Sequence, residues 1–238
     1  MKITNRTKNT KRLHNYRLAF YGDLISDEEI IIDAPEGFVV YGDLKSKSAI
    51  ISNGNLIVMG YISAGQIKVK GSLTTAYDIF AGQIEINNIL TAGSINSKGD
   101  IIVANFIKSH QSIYSGGNII TDAYIKADEG NIEAGNDIKA KLGITAAWNI
   151  IAGGSIESGS GIVAGWKIKA NNYISANNRI FAGINNGNVG IPSLELITCA
   201  ELKKGSVCNG KLNIEEPYVT MSFSEVKEKL GINKLIIK

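Results

Sequence analysis

From Ile95 onward an isoleucine recurs every six residues: Ile95, Ile101, Ile107, Ile113, Ile119 and Ile125. After one inserted residue the beat resumes at Ile132, Ile138, Ile144, Ile150, Ile156, Ile162, Ile168, Ile174 and Ile180. Two positions after each beat stands a small or β-branched residue, from Ser97 and Val103 through Ala134 and Ala140 to Ala176 and Ala182. In a strand, residues i and i+2 face the same side, so the isoleucine and its small companion both point inward. The residue between them, as at Tyr114, Lys126, Glu133, Lys139, Glu157 and Lys169, points out. The fourth position is often Gly or Asn (Gly93, Gly116, Gly135, Gly153, Gly165, Asn171, Gly183), which predicts a corner turned through positive φ.

A longer period rides on the hexad. A Gly or Asn and then a polar residue precede every third beat: Gly65-Gln66-Ile67, Gly82-Gln83-Ile84, Gly99-Asp100-Ile101, Gly117-Asn118-Ile119, Asn136-Asp137-Ile138, Gly154-Ser155-Ile156 and Asn172-Tyr173-Ile174. The spacings are 17, 17, 18, 19, 18 and 18. Three hexads therefore make one coil, and the pattern predicts an all-β, single-stranded, three-sided parallel β-helix with about 18 residues per coil. The small residue follows the aliphatic one here. Left-handed hexapeptide helices place it before, so the order predicts a right-handed helix.

The regular β-helix is expected over residues 62–184. Residues 1–17 carry Lys2, Arg6, Lys8, Lys11, Arg12 and Arg17 with no acid, and are read as a basic, flexible arm. Residues 18–61 are read as an N-terminal cap with irregular first coils. Gly22-Asp23-Leu24 and Gly42-Asp43-Leu44 repeat one step there, and Pro35-Glu36-Gly37 turns between two short strands. Residues 185–238 are read as a C-terminal cap. Its turns fall at Lys204-Gly205 and Asn209-Gly210, and a short helix, Glu225 to Leu230, is capped by Ser224 and ended by Gly231. Seven regular coils with one or two irregular ones would give a rod of roughly 40 Å.

Composition agrees with many short strands and tight turns: 26 Gly but only 3 Pro in 238 residues. A net charge of +3 is too small to argue for nucleic acid. No apolar run is long enough to span a bilayer, and the first residues lack the apolar core of a secretory signal, so a cytoplasmic protein is expected.

The steps Gly99-Asp100-Ile101 and Gly117-Asn118-Ile119, with the recurring Ile-x-Ala-Gly, resemble the bactofilins, the polymer-forming cytoskeletal proteins of bacteria. They are also similar to the β-helical part of the flagellar-assembly protein A family and to the C-terminal domain of the division inhibitor MinC. The resemblance covers roughly residues 54–183. It implies a right-handed, three-sided parallel β-helix that often self-associates. This chain differs from bactofilins in its longer N-terminal part and its C-terminal tail, both placed where end-to-end polymerisation would need free ends.

Candidate chemistry is thin. Even coil spacing leaves no extruded loop to enclose a substrate. His110 falls at a corner; hexapeptide acyltransferases use a histidine as general base, but no carboxylate is evidently placed to orient this one. Cys199 and Cys208 lack partners for a zinc site and are expected as free thiols, although a hairpin could bring them together. No cofactor or metal is expected. Asp100, Asp137, Glu133 and Glu157 read as turn residues or solvated faces. Outward threonines Thr74, Thr91 and Thr145 are too sparse for an ice-binding face.

The eighteen-residue step stacks Phe106 on Tyr124, Lys108 on Lys126, Trp148 on Trp166 and Ile102 on Ile120. Phe106, Lys108, Tyr124, Lys126, Trp148 and Trp166 form the candidate binding strip, for a protein or a sugar. The expected function is a non-enzymatic scaffold or protein-recognition module that associates with itself or with another protein. An intracellular inhibitor or immunity-type protein is the alternative, and an acyltransferase with His110 as base the competing class.

Overall fold

The computed structural model describes residues 1–3, 10–12, 18–183 and 196–215. Within them every regular element is a β-strand, and one pairing alone is antiparallel. Each strand pairs with its equivalents in the coils before and after, which makes an all-β parallel solenoid of about ten turns. At about 4.8 Å per coil the stack is roughly 48 Å long.

Three faces follow one another along the chain. Face A stacks the inward residues Leu24, Leu44, Ile62, Ile79, Ile95, Ile113, Ile132, Ile150, Ile168, Ile197 and Leu212, eleven strands in all. Face B runs from Ile30 through Ile50, Ile67, Ile84, Ile101, Ile119, Ile138 and Ile156 to Ile174 and Leu202. Face C runs from Leu18 through Phe38, Leu56, Leu73, Leu90, Ile107, Ile125, Ile144 and Ile162 to Ile180 and Val207.

The hexad pattern holds in detail. Every beat from Ile62 to Ile180 is 0 % exposed. A β-branched isoleucine suits an extended backbone and fills one side of a narrow triangular core. Burying each contributes roughly 1.5–3 kcal/mol before the chain's ordering entropy is subtracted. Serine and threonine serve as the small companions because their hydroxyls meet main-chain carbonyls. Ser115 Oγ donates to the Gly99 and Asn118 carbonyls at 2.8 and 3.0 Å, and Ser158 Oγ to those of Leu142 and Gly161 at 2.7 and 3.0 Å. Among the described residues no buried side-chain polar atom lacks a partner.

The polar residue before a beat has a structural task. Asp100 Oδ1 accepts the Asn118 N–H (2.7 Å), Asn118 Oδ1 accepts that of Asp137 (3.1 Å), and Asp137 Oδ1 accepts that of Ser155 (2.8 Å). A parallel ladder runs from Ser112 through Asn131 and Asn149 to Lys167 at the corner between faces C and A. Each side chain thus satisfies a corner amide that the strands leave unpaired.

The corner glycines correct one expectation. Of those read as turning through positive φ, Gly183 alone does so (80°). At Gly116, Gly135, Gly153 and Gly165 an added Cβ would run into a carbonyl of the coil before. Glycine is needed there for close approach between coils, not for a left-handed backbone.

Residues 18–61, expected as a cap with irregular coils, stack in register with the rest. Leu24 pairs with Leu44 and Phe38 with Leu56, steps of twenty and eighteen residues. The basic arm is partly recruited: Lys2–Ile3 extends face B, and the backbone of Thr10–Arg12 lies antiparallel to Leu18–Phe20 across the end of face C. A very short edge strand, here three residues, leaves an incoming chain little backbone to pair with. At the other end Leu196–Cys199 and Glu201–Asn209 form one more coil and Lys211–Ile214 begins another on face A, with Gly205 and Gly210 turning at φ 119° and 100°. The strands read as a separate cap therefore prolong the solenoid. The step from Ile168 to Ile197 is longer because residues 184–195 intervene; these, and the expected helix Glu225 to Leu230, lie outside the described residues.

Candidate functional site

With the inward positions equivalent on all three sides, the faces differ only in their outward rows. Face A presents Ile25, Lys45, Ser63, Phe80, Asn96, Tyr114, Glu133, Ile151 and Lys169 in a mixed order. Face B presents Ile31, Ile51, Lys68, Glu85, Ile102, Ile120, Lys139 and Glu157, alternating apolar pairs with ion pairs. Face C presents Ile57, Thr74, Thr91, Lys108, Lys126, Thr145, Val163 and Phe181, while Ala19 and Val39, in the same row, are buried. Its two lysines share one carboxylate: Asp128 lies 3.2 Å from Lys108 Nζ and 2.7 Å from Lys126 Nζ. The Lys126 ammonium, then Lys108, hold the Asp128 carboxyl below the ordinary aspartate range against a desolvation that raises it.

The six residues of the candidate strip divide into two groups. Phe106 and Tyr124 stack at 4.8 Å and 6° on the corner leading into face C, beside Lys108 and Lys126. Trp148 and Trp166 stack at 5.4 Å and 7° on the corner leaving it. The two pairs therefore flank face C on opposite margins rather than forming one strip.

Sequence reasoning missed the rest of the second margin. The same corner carries Tyr21 and Tyr41, stacked at 4.9 Å and 9°, then Met59, then Tyr61 and Tyr77 at 5.1 Å and 36°. All five are more than two-fifths exposed. The signal was present as Tyr21-Gly22-Asp23 and Tyr41-Gly42-Asp43, a twenty-residue repeat whose tyrosine sits just ahead of the step already recognised.

A polar network crosses the corner between faces A and B. Lys139 Nζ lies 3.2 Å from Glu157 and 3.4 Å from Asp137, the Tyr173 hydroxyl donates to Glu157, and Lys203 Nζ sits 3.5 Å over the Tyr173 ring. The Tyr173 hydroxyl, with Lys139 second, lowers the Glu157 carboxyl; Glu157 in turn raises the Tyr173 phenol. Lys139, Glu157, Asp122, Lys141 and Asn177 line a surface groove of about 400 Å³, and Lys47, Phe80 and Lys98 line another of about 550 Å³. Among the described residues, neither is walled by a loop leaving the coil.

His110 does have a carboxylate beside it, contrary to expectation: Glu129 Oε2 lies 3.6 Å from its Nε2. Both side chains are 65 % exposed, which leaves the imidazole in water with no enclosed substrate position beside it. Cys199 is buried on face A and Cys208 is exposed, and both are free thiols; the coil geometry replaces the hairpin that would have joined them. Burial pushes the Cys199 thiol up. Among the described residues no cluster of metal-ligating side chains forms, and no helix is long and apolar enough to cross a membrane.

Comparison of the chain with family models, curated proteins and solved structures finds no match. The fold is compatible with β-helix repeat proteins in general, and no family match narrows it to the bactofilins.

Proposed function

We propose that this chain is a non-enzymatic β-solenoid, a cytoplasmic scaffold and recognition module that docks a protein partner on face C. One observation carries the reading: of the eight outward residues of face C from Ile57 to Phe181, six are uncharged, and stacked aromatics stand on both of its margins. Uncharged rows cost little to desolvate. Rigid aromatics supply large contact area with little ordering entropy, and such residues dominate the energetics of interfaces. The resemblance to the bactofilins supports a scaffold role in the same way.

A flat recognition face also suits a stack whose steps stay between 16 and 19 residues from Leu44 to Ile180. Enclosed catalytic sites need loops that depart from such a rhythm. The test immobilises the whole chain beside two variants, Trp148→Ala/Trp166→Ala and Phe106→Ala/Tyr124→Ala, each checked to be folded at the assay temperature by a cooperative melt well above it. Proteins retained from an extract of the source organism are identified and titrated back as purified partners. A partner that binds the intact chain at least tenfold more tightly than either variant supports the reading. Equal binding by all three, or retention of nothing, overturns it.

A further inference from the structure

Face B carries a pattern that face C lacks. From Lys68 to Glu157 its outward row reads Lys68, Glu85, Ile102, Ile120, Lys139, Glu157: cation, anion, two apolar residues, cation, anion. Read backwards, the same row is anion, cation, two apolar residues, anion, cation. It is its own complement under reversal. A second copy, laid face to face with its axis reversed, sets Ile102 against Ile120 twice, Glu85 against Lys139 twice and Lys68 against Glu157 twice.

We propose that face B is a self-docking surface and that its partner is a second copy of this chain, antiparallel, about a two-fold axis between the Ile102 and Ile120 rungs. This goes beyond the recognition role of face C, uses different residues and stands or falls separately. Isologous contacts of this kind require each surface to fit its own rotated image.

The margins agree with the row. On the corner leading into face B the reversal puts Gln83 opposite Asp137 and Asp100 opposite Asn118. On the corner leaving it, Asn87 meets Lys141 and Ala104 meets Asp122. No like charges meet. Register is also specified: slipping by one rung places Lys68 on Lys139, or Glu85 on Glu157. A parallel arrangement, with the two-fold along the solenoid, sets each of the four charges on its own copy. Like-charge juxtaposition of this sort suppresses wrong pairings.

The surface is available. Lys68, Glu85, Lys139 and Glu157 side chains are 44, 36, 40 and 37 % exposed, and Ile102 is 39 % exposed. Each charge already has a partner in its own chain, Lys68 with Glu85 at 2.9 Å and Lys139 with Glu157 at 3.2 Å. Docking therefore joins two ion pairs head to tail rather than burying lone charges. Eight rungs, from Ile51 to Ser175, span roughly 38 Å by about 16 Å of strand and bury on the order of 1,200 Å² in total. That is the lower edge of a specific interface, so a reversible dimer of roughly micromolar affinity is expected.

The experiment is sedimentation equilibrium of the whole chain between about 1 and 100 µM, followed by zero-length carbodiimide coupling and peptide mapping. The expected result is a mass that doubles across that range and a cross-linked peptide joining Lys68 to Glu157. Within one chain those residues stand five rungs, roughly 24 Å, apart, so that product forms only between copies. Lys68→Glu/Glu85→Lys keeps the ion pair within the chain but opposes like charges across the interface, and at least a hundredfold weaker association is expected. Adding Lys139→Glu/Glu157→Lys restores the complement and the dimer. A strict monomer at 100 µM overturns the proposal. So does a dimer whose cross-links avoid face B, or one indifferent to the first pair of substitutions.

Discussion

Faces B and C are built on the same inward rows, yet they present opposite surfaces. Ile119, Ile138 and Ile156 under face B are as fully buried as Ile125, Ile144 and Ile162 under face C. Above them, face B alternates ion pairs with isoleucine pairs. Face C has one carboxylate shared by two lysines between long uncharged stretches. In a solenoid the middle residue of each Ile-x-small triplet makes no core contact, so it can change without disturbing the fold. Surface chemistry and fold are therefore set by different positions of the hexad.

The sharpest way to break that comparison is to strike both inward rows. Ile138→Asp under face B and Ile144→Asp under face C should each cost about 5 kcal/mol or more, because either buries an unpaired carboxylate. Thermal melting should drop equally for both. A large inequality would mean that the rows are not equivalent.

The two corners bounding face B offer a milder contrast. At Gly135, leading into the face, an alanine methyl would meet the Gly116 carbonyl, whereas at Gly143, leaving it, the nearest atom is 3.6 Å away. Gly135→Ala should destabilise by roughly 2–3 kcal/mol. Gly143→Ala should be neutral or stabilise by about 0.4–1 kcal/mol, since the backbone there is not left-handed. Denaturant midpoints of the two variants decide it.

On the margin of face C, a double-mutant cycle of Trp148→Ala and Trp166→Ala should return a coupling of about 0.5–1.5 kcal/mol. Coupling near zero would show that the rings neighbour one another without interacting, and would leave them more plainly a surface for something else.

Acid should separate the faces least. The Asp128 carboxyl is depressed in the folded chain, chiefly by Lys126. Its stabilisation is therefore complete above the unfolded value of about 3.9 and is lost as pH falls through the lower folded value. Asp128→Asn should melt below the parent at neutral pH, and the gap should narrow as pH falls below about 3.9. Glu157 on face B is depressed as well, first by the Tyr173 hydroxyl, so its loss falls in the same acidic direction. A gap that stays constant into strong acid would remove Asp128 as its source.

The sequence by itself determined the coil. An isoleucine every six residues, a small residue two later and a polar step every third beat leave the chain one economical way to bury its apolar side, three strands per turn stacked in parallel. Even the tyrosine repeat at residues 21 and 41 was written there. What only the tertiary structure decided is which residues become neighbours across coils. Coils of twenty residues near Leu24 were hidden because one side, from Ile30 to Phe38, takes eight residues where the others take six. The corner glycines reveal their purpose only against the carbonyl of the coil before. Asp100 and Asp137 look like ordinary turn residues until each is found holding the amide one coil on. The single inserted residue before Ile132 shows only a pause in the beat; stacking absorbs it and keeps every later row aligned. Local patterning fixes how a strand faces its own core, whereas the outward rows of faces B and C exist only once the stack has brought distant residues together.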